Sequence, residues 1–509
     1  MSADSTTIIL TRNGLADCGQ EAKVEALRQR LAKPDAKLLL HLHGGLVDQP
    51  TGEGIAQRLS GAGANSWQLG PEWTQLYVVW RTGAFETIRT NWMDLVHDDR
   101  VYQTILRKLI GFVGERLGIP APGGARSAAT GAFGLDEEEI QRRITGQRDR
   151  RDPFGEIAVH LDPRVEPGAR ASLIVAKSDA ALAMDFEAEL AADPRFQAAV
   201  ADIDGVVNAG LPGRTALAPG DAARGERALA RLSPDVQSEF AAAAAPPNAG
   251  GARGLISVGT FVLKHAGIIA YRVFKRFRSG RDHGFHATIV EELCRECYGD
   301  LVGAKVWGMM CRDAADHFAP GGFGTQLLDL LGQVPAPRIA VTAHSAGSIW
   351  VAEMLLALAK RQQQMSVRLM LLAPAARQDL FAEALAAAGD RIECARMFTM
   401  TDALERRDAV LGHDKGYIYP SSLLYCVSGM FEEQGAEAYA DAPLVGMMRF
   451  ADASWLDVEE AANAKALARF FMRPENGVVT SPTPGVTIAD CHGCFDDEEF
   501  TLKSLAALF

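Results

Sequence analysis

Arg338-Ile339-Ala340-Val341-Thr342 runs straight into Ala343-His344-Ser345-Ala346-Gly347, and Ser348-Ile349-Trp350-Val351 follows at once. An apolar, strand-like run meets a serine that has Ala343 two residues before it and Gly347 two after. From Ser348 to about Arg361 the pattern is helical, and Ser348–Leu358 is apolar nearly all round, the mark of a buried helix. A strand passing through such a serine into a buried helix has the form of a nucleophile elbow, which lifts the hydroxyl clear of a sheet edge. Small residues are required there because the strand and helix backbones nearly touch across the turn.

Outward from the elbow, short β-branched runs alternate with helical stretches. The expected strands are Thr6–Thr11, Lys37–Leu42, Gln75–Trp80, Arg338–Thr342, Val367–Leu372, Arg396–Met400 and Val486–Ala489. Helical segments at Glu21–Leu31, Gly54–Leu59, Ser348–Arg361 and Leu380–Ala388 lie between several of them. That alternation predicts βαβ units and an α/β fold, a mostly parallel sheet with helices on both faces. Between about Phe85 and Arg281 the alternation stops. Gly/Ala/Pro-rich patches (Ala121–Ala125, Ala241–Gly251) and charged runs (Asp136–Glu139, Arg142–Arg151) replace it. The expected organisation is therefore 1–84 and 285–509 as one core, with 85–284 a mainly helical insertion before the elbow.

Composition narrows the partners. The formal net charge is −12 across 509 residues, with none of the basic footprint that phosphate binding needs, so a nucleic-acid binder is excluded. Met1–Thr7 lacks a basic segment followed by an apolar one, and no uninterrupted apolar run of spanning length occurs. Eight cysteines are too sparse for a disulfide scaffold, which predicts reduced thiols and a cytoplasmic chain.

Four further features carry chemistry. The strand Lys37–Leu42 ends in His43-Gly44-Gly45-Leu46, a turn whose exposed N–H groups suit a developing oxyanion, with the N–H of Ala346 as the second donor. Ile256–Phe277, ending in Arg272, Lys275, Arg276, Arg278 and Arg281, reads either as a lid or membrane-surface helix over about 256–281, or as a core helix with a basic C-terminus. Cys294-x-x-Cys297 and Cys491-x-x-Cys494 imitate a four-cysteine zinc site, but the first pair falls inside a helical run. His41-x-His43 places two rings on one strand face without an evident cluster of metal-ligand partners.

The order strand, His-Gly-Gly turn, helix, strand, small-x-Ser-x-Gly elbow, helix, strand resembles the α/β-hydrolase superfamily of serine esterases and lipases over about 1–84 and 285–509. The resemblance implies an acid after a later strand and a histidine near the end, in the order Ser…Asp/Glu…His. Asp402, at the end of Arg396–Thr401, fills the acid's place, with Asp379 as its rival and a capping role as the structural alternative. His492, after Val486–Asp490, fills the base's place ahead of His413. Ala343 stands where the family most often has glycine, and His344 is read as a packing residue. The site implied is Ser345, Asp402 and His492, with Gly44, Gly45 and Ala346 as oxyanion donors and no cofactor. The substrate implied is a small-molecule or lipid ester. Alternatives are a peptidase, amidase or thioesterase with the same triad, a hydrolase-like fold whose insertion binds a partner, and a metal-dependent hydrolase.

Overall fold

The computed structural model describes residues 6–33, 35–45, 47–80, 91–92, 94–95, 99–117, 140, 143, 179–210, 221–244, 258–299, 303–334, 337–361, 365–410, 419–432, 441–451 and 456–509. In chain order the N-terminal part gives β1 (Thr6–Arg12), β2 (Leu15–Ala16), α1 (Glu21–Leu31), β3 (Lys37–Leu42), α2 (Gln49–Ser60) and β4 (Trp73–Trp80). A helical stretch follows: α3 (Arg100–Arg116), α4 (Asp179–Ala192), α5 (Pro194–Gly210), α6 (Asp221–Arg231), α7 (Pro234–Ala244), α8 (Val258–Ser279), α9 (Phe285–Cys297), α10 (Ala304–Asp316) and α11 (Phe323–Leu331). The chain then returns to β5 (Arg338–His344), α12 (Gly347–Arg361), β6 (Val367–Leu372), α13 (Gln378–Ala388), β7 (Ile392–Met400), α14 (Asp402–Glu405) and α15 (Leu423–Cys426). It closes with α16 (Val458–Phe471), β8 (Gly477–Ser481) and α17 (Glu499–Ala506).

The strands form one eight-stranded sheet in the order β2-β1-β4-β3-β5-β6-β7-β8, parallel throughout except for the short β2 hairpin. This α/β fold is compatible with an α/β-hydrolase-like topology. Parallel pairing brings the C-terminal ends of β3, β5, β6, β7 and β8 to one edge, where open α/β sheets place their ligands. The central strands are buried on both faces, which explains their near-continuous apolar runs: Leu38–Leu40, Ile339–Val341 and Leu369–Leu372 are all buried. One apolar cluster runs without a break from these strands into the helical stretch, through Phe186, Ile269, Ala270 and Val273.

β3 and β6 occupy the residues expected for them, and the other expected core strands lengthen by a few residues. The last strand differs. Val486–Ala489 is no strand: it makes a single bridge, Thr483 to Thr487, around a turn at Pro484, Gly485 and Val486. Gly477–Ser481 takes the sheet edge instead, pairing with Arg396–Met400. The expected charged runs and Gly/Ala/Pro patches of the insertion, and His413, lie largely or wholly outside the described residues.

α8 holds the segment that read as lid or core. Its Phe261, Ile269, Ala270, Val273 and Phe277 are buried. Its basic end faces protein acids: Arg276 is 0 % exposed and pairs with Glu291 and Glu292, Arg272 pairs with Glu296, and Arg281 pairs with Asp441 and Glu460. Those contacts are those of a core helix. No helix among the described residues is long and apolar enough to cross a membrane.

Candidate functional site

Ser345 sits at the tip of β5 with φ +50°, in the left-handed region that costs a residue with a side chain about 1–3 kcal/mol. The surroundings hold it there. Its N–H donates to Leu372 O at 2.8 Å, and its carbonyl accepts from the N–H groups of Ser348 and Ala375, both at 3.0 Å. Ser348 Oγ also donates to that carbonyl at 2.6 Å, while accepting the N–H of Ala376 at 2.8 Å. Gly347 is required by contact: a Cβ there would lie 2.7 Å from Leu42 O, which is main chain and has no room to yield. The elbow is therefore braced against β3 on one side and the loop after β6 on the other. Ser345 Oγ is buried and has no hydrogen-bond partner.

The neighbouring strand β3 delivers the His-Gly-Gly turn to the same place. A Cβ on Gly44 would stand 3.4 Å from Ser345 Cβ, and one on Gly45 would meet Ala346 Cβ at 2.9 Å and Met310 Sδ at 2.6 Å. Gly44 and Gly45 thus lie directly against Ser345 and Ala346. Outside helices and strands, no main-chain hydrogen bond among the described residues uses the N–H of Gly44, Gly45 or Ala346. His43 does not face the serine as a base. Its Nδ1–H donates to Gly44 O at 2.6 Å, and burial, opposed in part by that bond, brings its pKa down to about 4. Met310, from α10, was invisible to sequence reasoning; it packs against Gly45 and is itself buried.

His492 comes to the site on the turn after β8. The turn is tied twice through its main chain: His492 N–H donates to Asp408 Oδ2 at 2.6 Å, and His492 O accepts from His344 Nε2–H at 2.9 Å. The His344 and His492 rings stack at 5.2 Å with 28° between planes. His344, which immediately precedes the serine, therefore links elbow and histidine turn, a role beyond packing. Both ring nitrogens of His492 are buried without a hydrogen-bond partner, so no bond joins them to Ser345 Oγ. Burial, and then the neighbouring His344, hold the His492 pKa well below the usual histidine range. At neutral pH the ring is uncharged, the form a general base needs.

The carboxylates are arranged differently from the sequence expectation. Asp402 follows β7 as expected, but its carboxylate is taken by Arg406 at 2.8 Å, Tyr425 and Arg449 at 3.8 Å. Burial works against its ionisation, and the charges of Arg406 and Arg449 outweigh it, keeping its pKa low. Asp379 is gripped by Arg377 at 2.6 Å. Neither makes a hydrogen bond or ion pair with His492 among the described residues. The carboxylate that does is Asp408, on the same loop beyond α14 and mostly buried. Nothing in the spacing separates it from Asp402, since both follow β7.

The paired metal readings do not assemble. Cys491 and Cys494 are joined in a disulfide, which corrects the expectation of reduced thiols throughout. Cys294 and Cys297 are free and buried on α9. Among the described residues the one group of potential ligands is Asp490, Cys491 and Cys494, which includes neither the α9 cysteines nor His41 and His43. His41 Nδ1 is instead hydrogen-bonded to Thr342 Oγ1 at 2.8 Å. No family model, no curated protein and no solved structure matches this chain.

Proposed function

We propose that the chain is a serine hydrolase that cleaves a carboxylic ester through an acyl-enzyme on Ser345. The observation that carries this reading is Ser345 itself: a serine at φ +50° with a buried, unpartnered hydroxyl, braced by main chain on both sides. Strain of that kind at a reactive side chain is characteristic of pre-organised sites. Ser345 Oγ attacks the acyl carbonyl while His492 takes its proton. The N–H groups of Ala346 and of the Gly44–Gly45 turn receive the oxyanion, each donor contributing about 2.7–4 kcal/mol of transition-state stabilisation. His492 then returns the proton to the leaving alcohol, and water releases the acyl group with His492 again as base. In this structure the serine–histidine hydrogen bond is not made. Catalytic hydrogen bonds commonly tighten only once substrate is bound.

The acid's place is assigned to Asp408 in preference to Asp402, because Asp408 bonds the histidine turn and Asp402 is engaged by arginines. Its role is to position His492 through the main chain.

A fluorophosphonate probe tests the reading. It labels wild-type protein and leaves Ser345→Ala unlabelled; a well-folded wild type that stays unlabelled sinks the proposal. A second reading, a hydrolase-like fold without turnover, draws on the 2 % exposure of Ser345 and on the absent serine–histidine bond. Folded protein that neither labels nor hydrolyses a panel of p-nitrophenyl esters, amides and thioesters selects it. The panel also separates ester from amide and thioester chemistry.

A further inference from the structure

Cys491 and Cys494 bracket the candidate base: their disulfide closes a ring that contains His492 and Gly493. The segment is an arch between two buried anchors, Ala489 at 2 % and Phe495 at 0 % exposure. Both cysteines are half-buried, His492 points inward, and Gly493 is exposed at the crown. A Cβ on Gly493 would meet nothing within 4 Å, so no packing presses on the crown from outside. His492 is held by the burial of its ring against His344, by the disulfide across the arch and by the two main-chain hydrogen bonds, to Asp408 and from His344.

We propose that Cys491–Cys494 is a thiol–disulfide exchange site, which fixes His492 in its working position when oxidised and frees it when a protein dithiol reduces it. The inference rests on the assignment of His492 as the base. With only two residues between the sulfurs, the bond restricts the backbone of His492 and Gly493 directly. Closing so short a loop adds little to global stability, so its effect is concentrated on the turn.

A thiolate of the reductant attacks one sulfur, the Cys491–Cys494 bond breaks, and the other sulfur leaves as a thiolate that takes up a proton. The reductant's second thiol then attacks the mixed disulfide and releases the first cysteine. The reductant ends as a disulfide, and the two cysteines gain two electrons and two protons. Asp490 acts on the rate. Its carboxylate lies within 4.8 Å of both sulfurs and repels a leaving thiolate, which slows reduction. Once reduced, Cys494 has Asp490 Oδ1 at 3.8 Å as an acceptor for its thiol.

The experiment uses full-length protein, oxidised or treated with dithiothreitol, with a chelator throughout so that no metal occupies the freed thiols. Thiol titration and mass spectrometry establish the state of the pair. Fluorophosphonate labelling of Ser345 and hydrogen exchange of the 490–495 amides are the two readouts. Reduction is expected to slow labelling about ten- to a hundredfold, the scale of a misplaced catalytic group, and to speed exchange of the His492 amide. Reoxidation restores both, and Cys491→Ser/Cys494→Ser is slow and blind to dithiothreitol. Unchanged labelling and exchange with both thiols exposed overturn the proposal, as does an air-oxidised protein lacking the 491–494 bond. If oxidised, folded protein does not label at all, the hydrolase reading fails, and amide exchange alone still decides whether the disulfide holds the turn.

Discussion

The elbow and the histidine turn meet at one sheet edge, yet they are built by opposite means. Ser345 is wedged between two strands and a helix, with its own main chain bonded at both ends and Gly347 pressed on Leu42 O. His492 rides, ring inward, on an arch with an exposed crown, held by a disulfide, one carboxylate and one histidine. The first is fixed by packing that the whole sheet shares, the second by ties that can each be cut singly. A substitution at the elbow should therefore cost stability along with chemistry. One at the turn should cost chemistry alone.

The sharpest test of that contrast is His492→Ala. The ring makes no hydrogen bond, so its loss orphans no partner, and folding should survive. Labelling and ester turnover should fall by about 10⁶-fold, the scale seen when a serine hydrolase loses its base. A thermal melt close to wild type with this loss of rate supports the division; a collapse in stability would show the turn to be part of the core.

Acid challenges both halves together. His43 on the β3 side has a pKa of about 4, and that of His492 lies well below the usual range; each is lowered first by burial. A histidine with a lowered folded-state pKa lends stability that is fully present above its unfolded value near 6.5. That stability drains away as the pH falls from there toward the folded value. For fully buried His43 the window runs from about 6.5 to 4 and is worth about 3 kcal/mol. Denaturation midpoints measured between pH 7 and pH 4 should fall steadily, and a flat profile would refute the buried, neutral assignment.

Gly347→Ala breaks the elbow from within. A Cβ 2.7 Å from a main-chain oxygen forces strand and helix apart, at about 1–3 kcal/mol for overpacking. Both the unfolding midpoint and labelling should drop. Labelling lost with an unchanged midpoint would mean that the turn relaxes locally, and the contrast with His492 would weaken.

The same contrast explains what the residues disclosed in advance. The elbow was legible because its determinants are contiguous: a β-branched run, two small residues flanking a serine, then an apolar helix, all read over one stretch of chain. β3 with its His-Gly-Gly turn was legible for the same reason. His492 was chosen by chain order alone, and the strand expected before it was misplaced. Val486–Ala489 has strand-like composition, but Gly477–Ser481 is the segment that reaches β7, and a pairing of that kind is decided between elements. The choice between Asp402 and Asp408 was equally hidden. Arg449 and Tyr425, which claim Asp402, come from distant segments, and Arg406 lies four residues on, at the spacing of an ordinary helix pair.

Paired substitutions separate those two carboxylates. Asp408→Ala removes the acceptor of the His492 N–H and should slow labelling about tenfold with the fold intact, as the loss of a positioning contact does. Asp402→Ala leaves Arg406 and Arg449 short of a counter-charge and should lower the unfolding midpoint with a smaller effect on rate. The reverse pattern would return the acid's role to Asp402.

The smallest effect is expected at the one residue that belongs to both halves. His344 donates through Nε2–H to His492 O and stacks on the His492 ring, and its proximity is one of the two causes that keep that ring's pKa low. His344→Gln retains an N–H donor, so labelling at neutral pH should stay within about threefold of wild type, whereas His344→Leu removes the donor and should be slower. The decisive readout is the acid limb of the pH–rate profile. Removing a second ionisable ring relieves one cause of the low His492 pKa, so that pKa rises and the base becomes protonated sooner on acidification. Activity of His344→Gln should then fade at a higher pH than wild type. If the limb stays in place while the rate drops, His344 acts through packing alone, and elbow and turn are coupled mechanically but not electrostatically.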